Sequence, residues 1–292
     1  MASPMEKKSR YGLVFVAPYF IVFAIFGLYP ILYSLYISFT NSNGFTSNFI
    51  GLQNYTRLLH DKFFYQSLWS TVVIWIISIV PQLIIALVLA LILNEKFIKG
   101  RHFFRAVFYL PNIVTPVTIG VLADLMFDWQ TGFVNKLLMA LHIIKQPVYW
   151  FGHPFLAQLI VGGVICWQYF GYNMLIFIAG LQSIDSELYE AAEIDGAGKF
   201  QTAIRISLPL LKPVMMFTII TSIIGGIQIF DIPMMVGNAV GNATQTLIVY
   251  LYKAGFVNFD YGYAAAIAYA TFVIIIILTL ISLKVSNRKS AS

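Results

Sequence analysis

The sequence predicts an all-α, polytopic membrane protein with six transmembrane helices. Three observations carry this. Of 292 residues, 59% are hydrophobic and only 10% are charged, where a soluble domain carries about 25% charged residues. The mean hydropathy is +0.81. The apolar stretches are also continuous over helix-spanning lengths instead of alternating, which excludes a membrane β-barrel.

The runs free of Asp, Glu, Lys and Arg are Leu13 to Ile37, Phe63 to Asn94, Ala106 to Ala123, Gln146 to Ile184, Pro213 to Phe230 and Tyr261 to Leu283. A bilayer core needs about 20 apolar helical residues. The spans are therefore placed at 12–37, 69–93, 106–127, 156–181, 214–236 and 263–284. The first run is too long for a signal-peptide core, and large residues follow Pro30 where a cleavage site needs small ones. It is read as a helix of the mature protein. The first outer loop, Thr40 to Gln66, opens with the turn signal Asn43-Gly44. The second, Asp128 to Pro154, contains a short surface helix over Phe133 to Ile144, marked by Leu137, Leu138 and Leu141. The third, Gly237 to Tyr261, is a loop rich in Gly and Asn. Pro81, Pro111 and Pro116 are expected to kink or break helices.

Charge placement sets the orientation. The net charge is +6. With the N-terminus inside, the inner segments hold Lys7, Lys8, Arg10, Lys96, Lys99, Arg101, Arg105, Lys199, Arg205, Lys212, Lys284, Arg288 and Lys289. The outer loops hold Arg57, Lys62, Lys136, Lys145 and Lys253. Both termini are thus expected in the cytoplasm of a multi-pass plasma-membrane protein. The basic residues read as topology anchors, not as a nucleic-acid surface. Cys166 is the single cysteine, so disulfides and cysteine-based metal sites are ruled out; it reads as a small buried hydrophobe. His60, His102, His142 and His153 are scattered, and no metal site is expected. Asp124 and Asp128 are assigned structural roles at the outer end of the third span.

The inner loop between the fourth and fifth spans, 183–209, does not fit lipid. Asp185, Glu187, Glu190, Glu193 and Asp195 fall in it, five of the twelve acids in the protein. Asp185 or Ser186 can cap a helix there, and acids suit its first turn. Gly196 and Gly198 end it, and a second short helix runs from Lys199 to Ile206 before Pro209. By helical spacing Leu188, Ala191, Ala192 and Asp195 share a face, beside a ridge of Glu187, Glu190 and Glu193. An acidic ridge is repelled by an anionic inner leaflet, so the segment reads as a helix that enters a groove on a cytoplasmic partner.

Glu190-Ala191-Ala192, Gly196 and Ile206-Ser207-Leu208-Pro209 match, in spacing and type, the EAA loop of binding-protein-dependent ABC importer permeases. Gly51-Leu-Gln-Asn-Tyr55, Asn94-Glu-Lys-Phe-Ile-Lys-Gly-Arg101, Leu110-Pro111, Ile229-Phe230-Asp231 and Tyr261-Gly-Tyr-Ala-Ala-Ala266 extend the resemblance along nearly the whole chain. It is most similar to the transmembrane subunit of maltose, lactose and glycerol-3-phosphate importers that pairs with a second, different permease. The family often carries Gly-Gly-Pro after the fifth span; here the stretch is Val236-Gly-Asn-Ala-Val-Gly-Asn-Ala-Thr244. The resemblance implies a type I importer transmembrane domain. It comprises residues 1–67 as an N-terminal segment with first helix and loop, 68–285 as the permease core, and 286–292 as a cytoplasmic tail. It implies a second permease, two ATPase subunits and an external solute-binding protein as partners. Glu187, Glu190, Ala191, Ala192, Asp195, Gly196, Ala197, Gly198 and Pro209 would couple to the ATPase.

No cofactor is expected on this chain. A P-loop needs Gly, four residues, then Gly-Lys-Ser/Thr; the nearest approach, Gly198-Lys199-Phe200, has Glu193 in place of the first Gly. ATP and magnesium would be bound by the partner ATPases, and the chain itself is not read as an enzyme. Polar residues inside spans mark substrate paths. Gln168 and Asn173, among the aromatics Trp167 to Tyr172, and Ser222, Gly225, Gly226, Gln228 and Asp231 are candidates, since aromatic rings suit the C–H faces of sugars and amides their hydroxyls. Asp231 is open to a second role, pairing with the other permease at the outer gate. The resemblance adds Thr115 or Pro116, Phe170, Gly171 and Met174. The expected cargo is a carbohydrate, a di- or oligosaccharide, moved by alternating access. The alternative is a channel or secondary transporter for another polar solute.

Overall fold

The computed structural model describes residues 4–95, 98–236 and 239–288. Lys96 and Lys289 of the inner cations, Gly237 and Asn238 of the third outer loop, and residues 289–292 of the expected tail lie outside the described residues. In chain order the helices are α1 (Pro4–Phe23), α2 (Tyr29–Ser38), α3 (Gln53–His60), α4 (Lys62–Asn94), α5 (Arg101–Ile113), α6 (Pro116–Met126), α7 (Phe133–Ala140), α8 (Pro154–Gln182), α9 (Ser186–Ile194), α10 (Lys199–Thr202), α11 (Leu208–Leu210), α12 (Lys212–Ile227), α13 (Asp231–Met235), α14 (Leu247–Tyr252) and α15 (Tyr261–Arg288). Among the described residues, five stretches are long and apolar enough to cross a membrane: Val14–Ser38, Lys62–Asn94, Pro154–Gln182, Lys212–Met235 and Tyr261–Val285. The pair α5 and α6 passes together as a sixth. No strand occurs among the described residues; one isolated bridge joins Thr40 and Phe49.

The described chain divides into two compact units. One takes the chain up to Asp61 with Leu251–Ala270, and the other takes Lys62–Tyr250 with the chain from Thr271 on. In the first unit, a π-helical turn at Ala24–Leu28 joins α1 to α2. Pro30 explains it: the missing N–H and the ring displace the carbonyl four residues earlier. The turn expected at Asn43-Gly44 forms, with Gly44 at φ +90° and the Asn43 side chain accepting from the amides of Phe45 (3.0 Å) and Thr46 (2.8 Å). Buried Asn54 donates to the carbonyls of Ser38 (2.9 Å) and Thr40 (2.8 Å), closing the end of α2 onto α3. Arg57 pairs with Asp260 at 2.7 Å and lies 3.8 Å over the Tyr263 ring, while the Tyr263 hydroxyl donates to Asp61.

In the second unit, α4 and α8 pack through small residues. Ala86 and Ala90 on α4 are fully buried, and a Cβ on Gly162 of α8 would come within 2.6 Å of Ile77. Close backbone approach of this kind holds membrane helices together, where lipid removes the hydrophobic drive. One apolar cluster gathers Ile74, Ile119, Ile160, Val161, Ile165, Ile232 and Val236; a second gathers Ala86, Ala90, Leu93, Met174, Phe177, Ile178, Leu181 and Leu211.

Several expectations are corrected. The third span, expected as one helix over 106–127, is two helices bent by 86°. Val114 and Thr115 are extended, with ψ 137° and 138°, as the residue before Pro116 should be. The Thr115 hydroxyl then caps α6, accepting from the Thr118 amide at 3.4 Å. The fifth span is also interrupted: α12 stops at Ile227 and α13 starts at Asp231. Pro233 cannot donate to the carbonyl of Ile229, and the Thr246 hydroxyl takes that carbonyl at 2.6 Å. Finally, the third outer loop is more ordered than its composition suggests. Thr244, Gln245 and Thr246 are buried, and α14 follows. The Gln245 amide donates to Ser67 (3.2 Å), the Gln158 amide to the Ala243 carbonyl (3.1 Å), and the Leu247 amide to the Thr71 hydroxyl (2.9 Å). The first outer loop likewise contains α3, and α4 begins at Lys62, earlier than expected.

The surface helix of the second outer loop is present as α7. Asp128 organises the turn before it, accepting from the Thr131 hydroxyl (2.7 Å) and amide (2.6 Å). The Thr131 hydrogen bonds hold its carboxyl below the usual carboxylate range.

A Cβ on Gly171 of α8 would sit 1.9 Å from the Phe108 carbonyl oxygen, whereas one on Gly163 would meet nothing within 4 Å. Gly171→Ala should therefore destabilise the protein by about 1–3 kcal/mol through overpacking against α5. Gly163→Ala should stay within about 0.5 kcal/mol of the parent. Thermal unfolding in lipid nanodiscs, followed by intrinsic fluorescence, compares the two.

Candidate functional site

The second unit contains a cavity of about 290 Å³, near the lower end of small-molecule sites, roughly 300–1,000 Å³. It opens where the two broken spans interrupt their helices. The wall from α4 is Trp75, Ser78, Ile79 and Gln82; α8 gives Ile165, Gln168, Tyr169, Tyr172 and Asn173; α12 gives Thr218, Thr221, Ser222, Gly225 and Gly226. Pro116 enters from the start of α6, and Gln228 to Ile232 from the break before α13. Among the described residues the lining thus holds aromatic rings, hydroxyls and amides with one carboxylate, Asp231, and no Lys, Arg or His.

Gln168 is the best-defined polar group. Its side chain is 1% exposed, and its amide N–H donates to the Val114 carbonyl at 3.2 Å. That carbonyl is freed by the bend between α5 and α6. The Gln168 carbonyl oxygen is buried with no hydrogen-bond partner among the described residues. A buried acceptor left unmade costs about 1–3 kcal/mol, so it favours a ligand that donates.

Seven of the expected substrate residues line the cavity: Gln168, Asn173, Ser222, Gly225, Gly226, Gln228 and Asp231. Four do not. Met174 is fully buried in the apolar cluster with Ala86 and Ala90. Gly171 faces Phe108 and Tyr109 of α5, where only a missing side chain permits the approach. Phe170 packs edge-on against Phe108, ring centres 5.9 Å apart. Thr115 spends its hydroxyl on the α6 cap, and Pro116, its alternative, lines the cavity instead. The wall from α4 and the residues Thr218 and Thr221 were not anticipated. Trp75, Ser78, Ile79 and Gln82 stand at i, i+3, i+4 and i+7, as do Thr218, Thr221, Ser222 and Gly225, so helical spacing marks both faces.

The inner loop forms a separate feature. Asp185 is the N-cap of α9, accepting from the Glu187 amide at 3.1 Å. Gly196 ends it at φ +76°. The Ala197 amide donates back to the Ala192 carbonyl at 2.9 Å, the Schellman arrangement that requires a left-handed residue. The second short helix continues as α10, a π-helical turn at Ala203–Ser207 and α11, so Pro209 lies inside a helical run. The expected shared face divides: Ala192 is buried, while Leu188, Ala191 and Asp195 are exposed. Tyr189 turns inward, its hydroxyl 3.1 Å from that of Ser207. Lys199 pairs with Glu95 at 2.8 Å. The outward surface carries Glu187, Glu190, Glu193, Asp195, Gly198 and two large apolar side chains, Ile194 at 86% and Phe200 at 80% exposure. No group of three or more His, Cys, Asp or Glu able to hold a metal occurs among the described residues.

Comparison with known proteins places this geometry. Residues 61–290 match the family described as binding-protein-dependent transport system inner membrane component. The chain is 36% identical over 272 residues to a lactose transport system permease protein of Rhizobium radiobacter, covering 92% of this chain and 91% of that one. It is 34% identical over 277 residues to an arabinooligosaccharides transport system permease protein of Bacillus subtilis, covering 94% and 88%. It is 33% identical over 285 residues to a trehalose/maltose transport system permease protein of Thermococcus litoralis, covering 96% and 95%. The fold matches a chain of a bacterial ABC transporter involved in the import of the acidic polysaccharide alginate, with a TM-score of 0.84 at 23% identity, covering 97% and 96%. With the family's pattern matched from Asp61 to the last helix and the curated relatives matched nearly end to end, the chain belongs to the inner membrane components of binding-protein-dependent transport systems.

Proposed function

We propose that this chain is a permease subunit of an ATP-driven importer that carries an uncharged carbohydrate, a di- or oligosaccharide, across the plasma membrane. The observation that carries the reading is the cavity between α4, α8 and α12. Its aromatic rings, hydroxyls and amides match a polyhydroxylated ligand, and the unpartnered Gln168 oxygen suits a donating hydroxyl. Asp231 and the lack of any basic lining residue disfavour an acidic sugar. The relatives named for lactose, arabinooligosaccharides and trehalose/maltose support the same class. The channel or secondary-transporter alternative loses its ground to the family match.

In this reading a second, different permease completes the pathway, an external binding protein delivers the sugar, and two ATPase subunits bind ATP and magnesium beneath it. Both termini face the cytoplasm, which puts the 183–209 loop there as well. Its exposed surface is suited to docking: small residues at Ala191 and Gly198 permit close approach, Ile194 and Phe200 offer apolar area, and the acids pair with a basic rim. Lys199–Glu95 ties that loop to the inner end of α4, and Tyr189–Ser207 ties α9 to the helical run that leads into α12, so a push on α9 is transmitted to α12, which lines the cavity. The breaks at 114–115 and 228–230 are positions where α6 and α13 can change angle without unpicking a continuous helix.

Two outcomes follow. Proteoliposomes containing the assembled importer, ATP inside and binding protein outside, should accumulate a neutral di- or oligosaccharide at least about tenfold faster than its uronic-acid counterpart. Equal rates would remove the charge argument. Glu190→Lys and Gly196→Trp should leave membrane insertion intact and lower sugar uptake per ATP hydrolysed by about tenfold or more, since a reversed rim charge or an obstructed loop breaks docking. Parallel phosphate-release and radiolabelled-uptake assays read the ratio, and an unchanged ratio in both variants contradicts the docking role.

A further inference from the structure

Ser222 and Gly226 line the cavity, but both are engaged by another residue of the same chain. The Trp75 indole N–H donates to the Ser222 hydroxyl oxygen at 2.9 Å. A Cβ on Gly226 would lie 1.9 Å from Trp75 Cδ1 and 2.5 Å from Nε1, so the ring edge rests directly on the Gly226 backbone. At Gly225, the next residue, a Cβ would meet nothing within 4 Å. One glycine is filled by an indole and its neighbour opens onto empty space in the same cavity. Trp75 itself is half-buried and lines that cavity. An indole with its only polar group satisfied and its edge fixed from a facing helix is a rigid apolar plate. Tryptophan supplies such a surface at low conformational cost. Around Trp75 the side chains that α4 buries are small or aliphatic, namely Ser70, Thr71, Ile74, Ser78 and Ile79, so a large aromatic ring stands out among them.

We propose that Trp75 is the ligand-stacking and specificity-determining residue of this permease. Ser222 and Gly226 are its positioning residues, and the open space at Gly225 accepts the sugar ring that lies against it. The ligand chemistry is a pyranose with an apolar C–H face toward the indole and hydroxyls directed at Gln168 and Asn173. This rests on the carbohydrate reading of the cavity and adds to it the group that selects among sugars. It also explains why Ser222 and Gly226 look like ligand contacts in the sequence: they hold the ring that does the contacting. The competing role is a plain packing wedge between α4 and α12.

The test uses the assembled importer in nanodiscs with the binding protein omitted. Saturation-transfer NMR reads direct contact with lactose, maltose and raffinose as probes. Trp75→Phe keeps a ring without the N–H and should hold affinity for the bound sugar within about threefold, while Trp75→Leu keeps apolar bulk without the flat face and should weaken it about tenfold or more. Ser222→Ala should cost about threefold, because the ring stays but loses its anchor, and Gly225→Leu should abolish binding by filling the open space. Thermal unfolding of each variant is measured alongside. The proposal is overturned if Trp75→Leu binds the same sugars as strongly as the parent, or if Gly225→Leu binds normally. If Trp75→Leu does not assemble, the Gly225→Leu and Ser222→Ala results decide alone. A parent importer that binds none of the three sugars, while taking up a different class of solute with ATP, refutes the carbohydrate reading and the stacking role with it. Sugar binding by the parent with no effect of these substitutions refutes the stacking role only.

Discussion

A lipid bilayer offers no water to a broken helix, so every carbonyl released by a break must find a donor within the protein. At two breaks among the described residues of the second unit, a side chain takes one of the freed carbonyls. The bend after Ile113 frees the Val114 carbonyl, which Gln168 takes. The interruption before Asp231 frees the Ile229 carbonyl, which Thr246 takes. These bonds are local, but residues at both breaks, Pro116 and Gln228 to Ile232, line the cavity. Prolines at 116 and 233 set the breaks, and the polar partners make them tolerable.

The same economy explains the distribution of polar residues. An amide serving a bend uses one end and leaves the other, and the Gln168 oxygen is such a remainder. A buried polar group committed on one side and free on the other is a natural ligand contact. The indole of Trp75 works in the opposite sense: its polar edge is consumed by Ser222, leaving apolar surface. Together they give the cavity a lining of mixed character, which the proposed sugar site needs. The inner loop is built by different rules. There Gly196 and the Schellman bond end a short capped helix in a defined way, and the side chains left outside form the proposed docking surface.

Much of this is legible in the sequence, and the illegible parts have physical reasons. Continuous apolar runs place most spans to within a few residues, α4 starting seven residues earlier, and the cap at Asp185 and the stop at Gly196 follow from residue type. Proline positions announce breaks but not their angle, which is why the third span was expected as one helix. The segment from Ala243 to Leu247 reads as a loop because its centre is polar, yet it is buried; its partners Ser67, Thr71 and Gln158 lie far away in sequence. Gly171 and Gly225 are alike in sequence and opposite in role, one needed for helix contact and the other facing open space. Only three-dimensional packing separates them. The Trp75 face is legible by spacing, but a tryptophan in an apolar run resembles ordinary core.

The most direct measurement is solvent and ligand access to the cavity floor. Gly225→Cys, made in the parent where Cys166 is buried, is treated in the assembled importer with a small hydrophilic maleimide, with and without saturating transported sugar. Ile224→Cys, outside the cavity lining, is the reference. The account predicts labelling at 225, protection of that label by the sugar, and little labelling at 224. An unreactive thiol at 225, or one that reacts equally in the presence of sugar, would contradict it.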